Sequence, residues 1–126
     1  MNENLSHIFV VDDDAKYCKS LVRLLAASGH SSESFSSAQS FLDSVPVDNM
    51  SGLLILDLRM PGMDGFALQK RVNALRSPLQ IIIITADAQS GDREQALREG
   101  AIGFLQKPFQ EESLLELIKK AIKNTN

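Results

Sequence analysis

The chain has 126 residues, with 13 Lys+Arg against 16 Asp+Glu and a formal charge of −3. That length suits one domain with a real core, and the charge leaves no basic surplus for nucleic-acid binding by this segment. One cysteine, Cys18, excludes an internal disulfide framework and a four-thiolate zinc site, and the amino terminus lacks the pattern of a secretory signal. The first apolar run, Ile8 to Val11, stops at Asp12, Asp13 and Asp14. Cys18, Leu21, Val22 and Leu25 then recur at helical spacing, and Gly29 follows as a stop. His30 to Phe35 alternates with polar residues and predicts a weaker edge strand. Ser37 precedes a short helix carrying Phe41 and Leu42. Leu53 to Leu56 stops at Asp57. Asp64 is placed to cap a helix presenting Leu68, Val72 and Leu75, with Pro78 beyond it. Ile81 to Ile84 stops at Thr85. Asp92 or Ser90 opens a helix through Ala96 and Leu97, closed by Gly100. Ile102 to Leu105 stops just before Gln106 and Lys107. Glu111 and Glu112 start the last helix, whose apolar face is Leu114, Leu115, Leu117, Ile118, Ala121 and Ile122. Lys119, Lys120 and Lys123 crowd its negative end.

Short β-branched runs without alternation fit strands buried on both faces of a parallel sheet. The alternation is (βα) five times, which predicts a three-layer, doubly wound α/β domain with right-handed crossovers. No apolar run is long enough to span a membrane. The expectation is a single cytoplasmic domain over residues 1–126. Its polar tail, residues 124–126, fits a frayed end or the start of a linker to an output domain.

Asp12, Asp13, Asp57, Thr85 and Lys107 all fall at, or just after, the carboxyl end of a predicted strand. In a parallel sheet those ends share one edge, where open α/β sheets bind ligands. Three crowded carboxylates repel one another, which raises some of their pKa values. A hard cation relieves that, and an oxygen-only donor set suits Mg²⁺. A metal beside a carboxylate can neutralise charge on a phosphoryl oxygen. Lys107 can pair with a second oxygen and the Thr85 hydroxyl can donate to a third. Asp57 remains as nucleophile. The set reads as phosphoryl transfer to an aspartate.

Val10-Val11-Asp12-Asp13, the run Leu56-Asp57-Leu58-Arg59-Met60-Pro61-Gly62-Met63-Asp64-Gly65, Ile84-Thr85-Ala86 and Lys107-Pro108-Phe109 resemble the CheY-like receiver domain of bacterial two-component response regulators. The resemblance covers essentially the whole chain, in order. Ser37–Pro46 and the loop after Asp57 are most similar to the FixJ-type branch. The resemblance implies a flavodoxin-like topology with strand order 2-1-3-4-5. It implies that Asp57 accepts a phosphoryl group from a sensor histidine kinase. Asp12, Asp13, Asp57 and the main-chain carbonyl of Arg59 would hold Mg²⁺, while Thr85 and Lys107 would contact phosphoryl oxygens. Phe104 would change rotamer as Thr85 moves, and Lys107-Pro108 would be cis. The chain would then be a signalling switch for a transcriptional output, not an enzyme beyond assisting its own phosphorylation and dephosphorylation. A homodimer would form through the fourth helix, fifth strand and fifth helix. Arg59 and Asp87 hold the positions that tune phosphate loss in the family, and an ion pair between them across the site mouth is the expectation.

Taken singly, these residues have plainer readings. Thr85 could end a strand, Lys107 could be a loop lysine, and Asp14 reads as a helix cap. Cys18 reads as core, and His7 and His30 have no evident partners. Pro61-Gly62 and Asp64-Gly65 read as turn chemistry. A haloacid-dehalogenase-like phosphatase also uses a strand-end aspartate and Mg²⁺, but it wants an acid where Arg59 stands. A nucleotide- or flavin-binding domain wants a Gly-rich loop where Asp12–Asp14 stand. A single-domain regulator acting only by protein contact remains an alternative to an attached output.

Overall fold

The computed structural model describes residues 7–124. The amino-terminal hexapeptide and residues 125–126 of the expected linker lie outside the described residues. Strands β1 (Ile8–Val11), β2 (Glu33–Phe35), β3 (Gly52–Asp57), β4 (Leu79–Thr85) and β5 (Gly103–Gln106) alternate with five helices. These are α1 (Ala15–Ala27), α2 (Ala38–Ser44), α3 (Gly65–Ala74), α4 (Asp92–Arg98) and α5 (Glu111–Asn124). All strand pairs are parallel, in the order β2-β1-β3-β4-β5. This is the doubly wound fold that the apolar runs predict. Among the described residues no helix is long and apolar enough to cross a membrane.

Apart from Gln80 and the terminal Asp57 and Thr85, the central strands are apolar because helices cover both faces. Alternate residues therefore feed two cores. Ile8, Val10, Leu53, Ile55, Ile82 and Ile84 pack under α1 and α5. Phe9, Val11, Leu54, Leu56, Ile83 and Phe104 pack under α2, α3 and α4. Asp12 and Asp57 continue the first alternation, while Thr85 continues the second. The strand register sets Asp57 opposite Ile84, and Thr85 opposite Gln106.

Three expectations shift. The edge strand begins at Glu33 rather than His30, because a strand with one neighbour pairs only over the three positions that face Phe9 to Val11. Helix α4 is capped by neither Ser90 nor a side chain of its own, because Gly91 takes the N-cap in a left-handed conformation, φ +89°. Leu75 does not join the α3 face. It lies past the last helical turn as C-cap and is 45% exposed. The other caps match the sequence: Asp14 accepts the Lys16 and Tyr17 amides, Ser37 that of Ser40, and Asp64 that of Ala67.

Candidate functional site

Four of the five strands each deliver a candidate residue, because their apolar runs end where the sheet edge meets solvent. Asp12 follows β1, Asp57 ends β3, Thr85 ends β4 and Lys107 follows β5. Asp12 is fixed by its backbone, since its amide donates to the Phe35 carbonyl at 3.1 Å and its Oδ1 accepts the Asp14 amide at 2.9 Å. Lys107 is tied to β4 by its amide, 2.8 Å from the Thr85 carbonyl. The Lys107-Pro108 peptide is cis. Gly65 opens α3 directly behind the end of β3. A Cβ there would stand 2.7 Å from the Asp57 carbonyl, so only glycine permits this approach.

Asp12, Asp13 and Asp57 each bring a carboxylate oxygen within 4.8 Å of the others. Asp12 and Asp57 are buried, and Asp13 is exposed. Lys107 Nζ donates to Asp12 Oδ2 at 2.8 Å and stands 3.6 Å from Asp57 Oδ1. Burial first, and then Asp12, push the Asp57 carboxyl up to about 6; Lys107 works against them. One ammonium does not balance three carboxylates, so the cluster has the charge and the oxygen donors that a small divalent cation satisfies. Thr85 is fully buried, and its Oγ1 accepts the Asp87 amide at 3.1 Å. Phe104 lies on the same sheet face, paired in register with Ile83 two residues before Thr85, and is 8% exposed.

The expected ion pair between Arg59 and Asp87 does not form. Arg59 Nη2 pairs with Asp92 Oδ2 instead, and Arg59 Nε reaches only the Asp87 main-chain oxygen, at 3.5 Å. Asp92 is buried at the start of α4, and its carboxylate takes the guanidinium that was expected at Asp87. Tyr17 is a site residue that the motifs do not reveal. Its ring lies under Lys107 Nζ at 3.9 Å from the centroid. Burial, and after it Asp12 and Asp57, push its hydroxyl up to about 12. Tyr17 sits one helical turn before Leu21, so its place on the inner face of α1 was readable from spacing; its contact with Lys107 was not. Cys18 is core as expected, its Sγ donating to the Asp12 carbonyl at 3.3 Å. Burial, then Asp12 and Asp14, raise its pKa.

The family model described as "Response regulator receiver domain" matches residues 8–119. The chain belongs to this family. As a receiver domain it is a switch operated by phosphorylation, and receivers are phosphorylated by sensor histidine kinases. The family generally binds Mg²⁺. This receiver is 41% identical to the transcriptional regulatory protein FixJ of Bradyrhizobium diazoefficiens over 117 residues, which is 93% of this chain and 57% of FixJ. It is 38% identical to the response regulator TodT of Pseudomonas putida, covering 98% of this chain and 54% of TodT. The receiver thus spans little more than half of these relatives. Among solved structures, FixJ-N superposes with a TM-score of 0.85 at 32% identity, covering 98% of this chain and 96% of that one. The response regulator StyR gives 0.86 at 38% identity, over 94% of this chain and 59% of that one. Nothing in these matches supports the phosphatase alternative.

Proposed function

We propose that this receiver is phosphorylated on Asp57 in a Mg²⁺-dependent step, and that Thr85 and Phe104 pass the change to α4. What carries the reading is the cluster itself: three carboxylates within 4.8 Å, met by the Lys107 ammonium at 2.8 and 3.6 Å. An Asp57 oxygen attacks phosphorus, a new O–P bond forms, and the bond from phosphorus to the donor breaks with its electron pair leaving on the donor. The donor is a phosphohistidine of the kinase. Asp12, Asp13, Asp57 and the main-chain carbonyl of Arg59 would hold the ion. When bound, Mg²⁺ supplies the positive charge that lets an anionic donor approach and neutralises charge developing on the phosphoryl group.

Lys107 moves from its contact with Asp12 to a phosphoryl oxygen, and the Thr85 hydroxyl donates to another. Thr85 then vacates space on the face where Phe104 lies. Moving such an equilibrium from 1:99 to 99:1 takes about 5.5 kcal/mol of differential interaction, which charge-assisted bonds of about 1.5–3 kcal/mol each can supply. Residues 1–126 act as one receiver, which chemically assists only its own phosphorylation and dephosphorylation. Its output is transcriptional, through an attached or separate partner, in line with the name of FixJ, a transcriptional regulatory protein; contact between two copies through α4, β5 and α5 is part of this reading. Arg59 and Asp87 tune the lifetime of the phosphate.

The test is incubation with Mg²⁺ and acetyl phosphate, followed by intact mass. One added phosphoryl group is expected on the wild type, none on Asp57→Asn, and none with EDTA. A variant modified as readily as the wild type would overturn the assignment.

A further inference from the structure

The cation nearest in sequence to Asp57 is Arg59, and it is already engaged. Its Nη2 meets Asp92 Oδ2. The same oxygen accepts the Gln89 amide at 2.8 Å, and the Asp92 amide returns to the Gln89 carbonyl at 3.1 Å. One carboxylate therefore holds the guanidinium and also shapes the turn into α4. The other end of this loop is tied to Thr85 through the Asp87 amide. The Asp92 side chain is 10% exposed and that of Arg59 34%, so the pair sits at the rim of the site, half shielded from water.

We propose that Asp92 is a positioning residue for phosphoryl exchange, acting through Arg59: it ties the guanidinium to the start of α4 and keeps its charge off the acidic cluster. The inference rests on Asp57 being the acceptor. Asp12, Asp13 and Asp57 carry more negative charge than Lys107 balances. A guanidinium released two residues from Asp57 is drawn toward that excess. It then competes with a divalent cation for the resting site, and it offers a second positive charge to an anionic donor. A phosphoryl group on Asp57 adds charge at the same place and competes with Asp92 for Arg59. Loss of the pair frees the first turn of α4 from the loop that follows the acceptor. The site and the switch helix are thereby coupled by a route separate from Thr85 and Phe104.

A double-mutant cycle of wild type, Arg59→Ala, Asp92→Asn and the double variant tests this. Two quantities are read in each. The first is half-saturating Mg²⁺, followed by the fluorescence of Tyr17, the one tyrosine in a chain without tryptophan. The second is half-saturating acetyl phosphate at saturating Mg²⁺, followed by intact mass alongside the maximal rate. Asp92→Asn is expected to raise the first and lower the second, each by about two- to fivefold, with a smaller effect on the maximal rate. In the Arg59→Ala background Asp92→Asn is expected to change neither. The same shifts in both backgrounds would show that Asp92 only shapes the loop, and would overturn the inference; so would no shift in either. Failure of the wild type to be modified would overturn the acceptor assignment and this inference together, whereas modification without coupling overturns the inference alone.

Discussion

On one face of the sheet, Leu21 and Leu25 of α1 and Leu114, Ile118 and Ala121 of α5 close over Val10, Ile55, Ile82 and Ile84, with every one of these side chains buried. On the other face, α3 and α4 bury Leu68, Val72 and Ala96, but polar ties join them to each other and α4 to β5. Gln69 is fully buried, its Nε2 donating to the Ala96 carbonyl at 3.1 Å while its Oε1 has no partner. Asn73 donates to the Glu99 carbonyl at 2.8 Å, and Arg93 to the Phe104 carbonyl at 3.3 Å. Helix α4 has seven residues, no side-chain cap, and Leu97 40% exposed. Apolar burial is lost only by exposing area to water, whereas a hydrogen bond of about 0.5–1.5 kcal/mol net can be exchanged for another. The first face is a platform that holds Asp57, the proposed acceptor. The second is a face that can be rearranged, and it is the one that carries Thr85 and Phe104.

The largest expected effect falls on the first face. Ile118→Ala should cost about 2–5 kcal/mol of stability, as cavity-forming changes in tight cores do. Leu97→Ala on the opposite helix should stay within about 0.5 kcal/mol. Urea unfolding measures both, and equal costs would erase the distinction between the faces. The next effect concerns the charge placed on the platform. Because the Asp57 carboxyl is raised to about 6, the folded chain holds that proton more tightly than the unfolded one. Stability from this group is therefore full below the ordinary carboxylate pKa and is lost as pH rises through about 6. In EDTA, Asp57→Asn should gain about 2 kcal/mol at pH 8, and the gain should fade toward pH 4. Thermal melts across pH read this, and a gain that grows toward acid would contradict it. The smallest effect is at Tyr17. Replacing the ring by Leu removes a cation–π contact of about 0.5–1 kcal/mol and should slow modification by acetyl phosphate a few-fold, while Tyr17→Phe keeps the wild-type rate. A Phe variant as slow as Leu would put the role in the hydroxyl instead.

The platform was almost wholly legible in the sequence, because uninterrupted Ile, Leu and Val runs have few alternatives to a buried parallel strand. The converging acids, Thr85 and Lys107 were legible for the same reason, since each marks where a run stops. The rearrangeable face was read less well. Ser90 and Asp92 both look like openings of the helix, whereas the N-cap is Gly91 in a left-handed conformation, with Asp92 the first helical residue. Arg59 had two acids within reach of its loop, and the choice of Asp92 over Asp87 depends on how that loop turns. Gly65 looked like turn chemistry, yet it is required by the close approach of α3 to the Asp57 carbonyl. Local pattern determines what is packed by area. It does not determine which of several polar groups will pair across a distance in sequence.

The central claim is that charge accepted at Asp57 is read out on the α4 face while the platform stays fixed. Amide hydrogen exchange with and without Mg²⁺ and beryllofluoride tests it most directly. The expected result is altered exchange from the end of β4 through α4 and β5, with α1 and the buried turns of α5 unchanged. Exchange that is unaltered everywhere, or altered equally on both faces, would contradict the account.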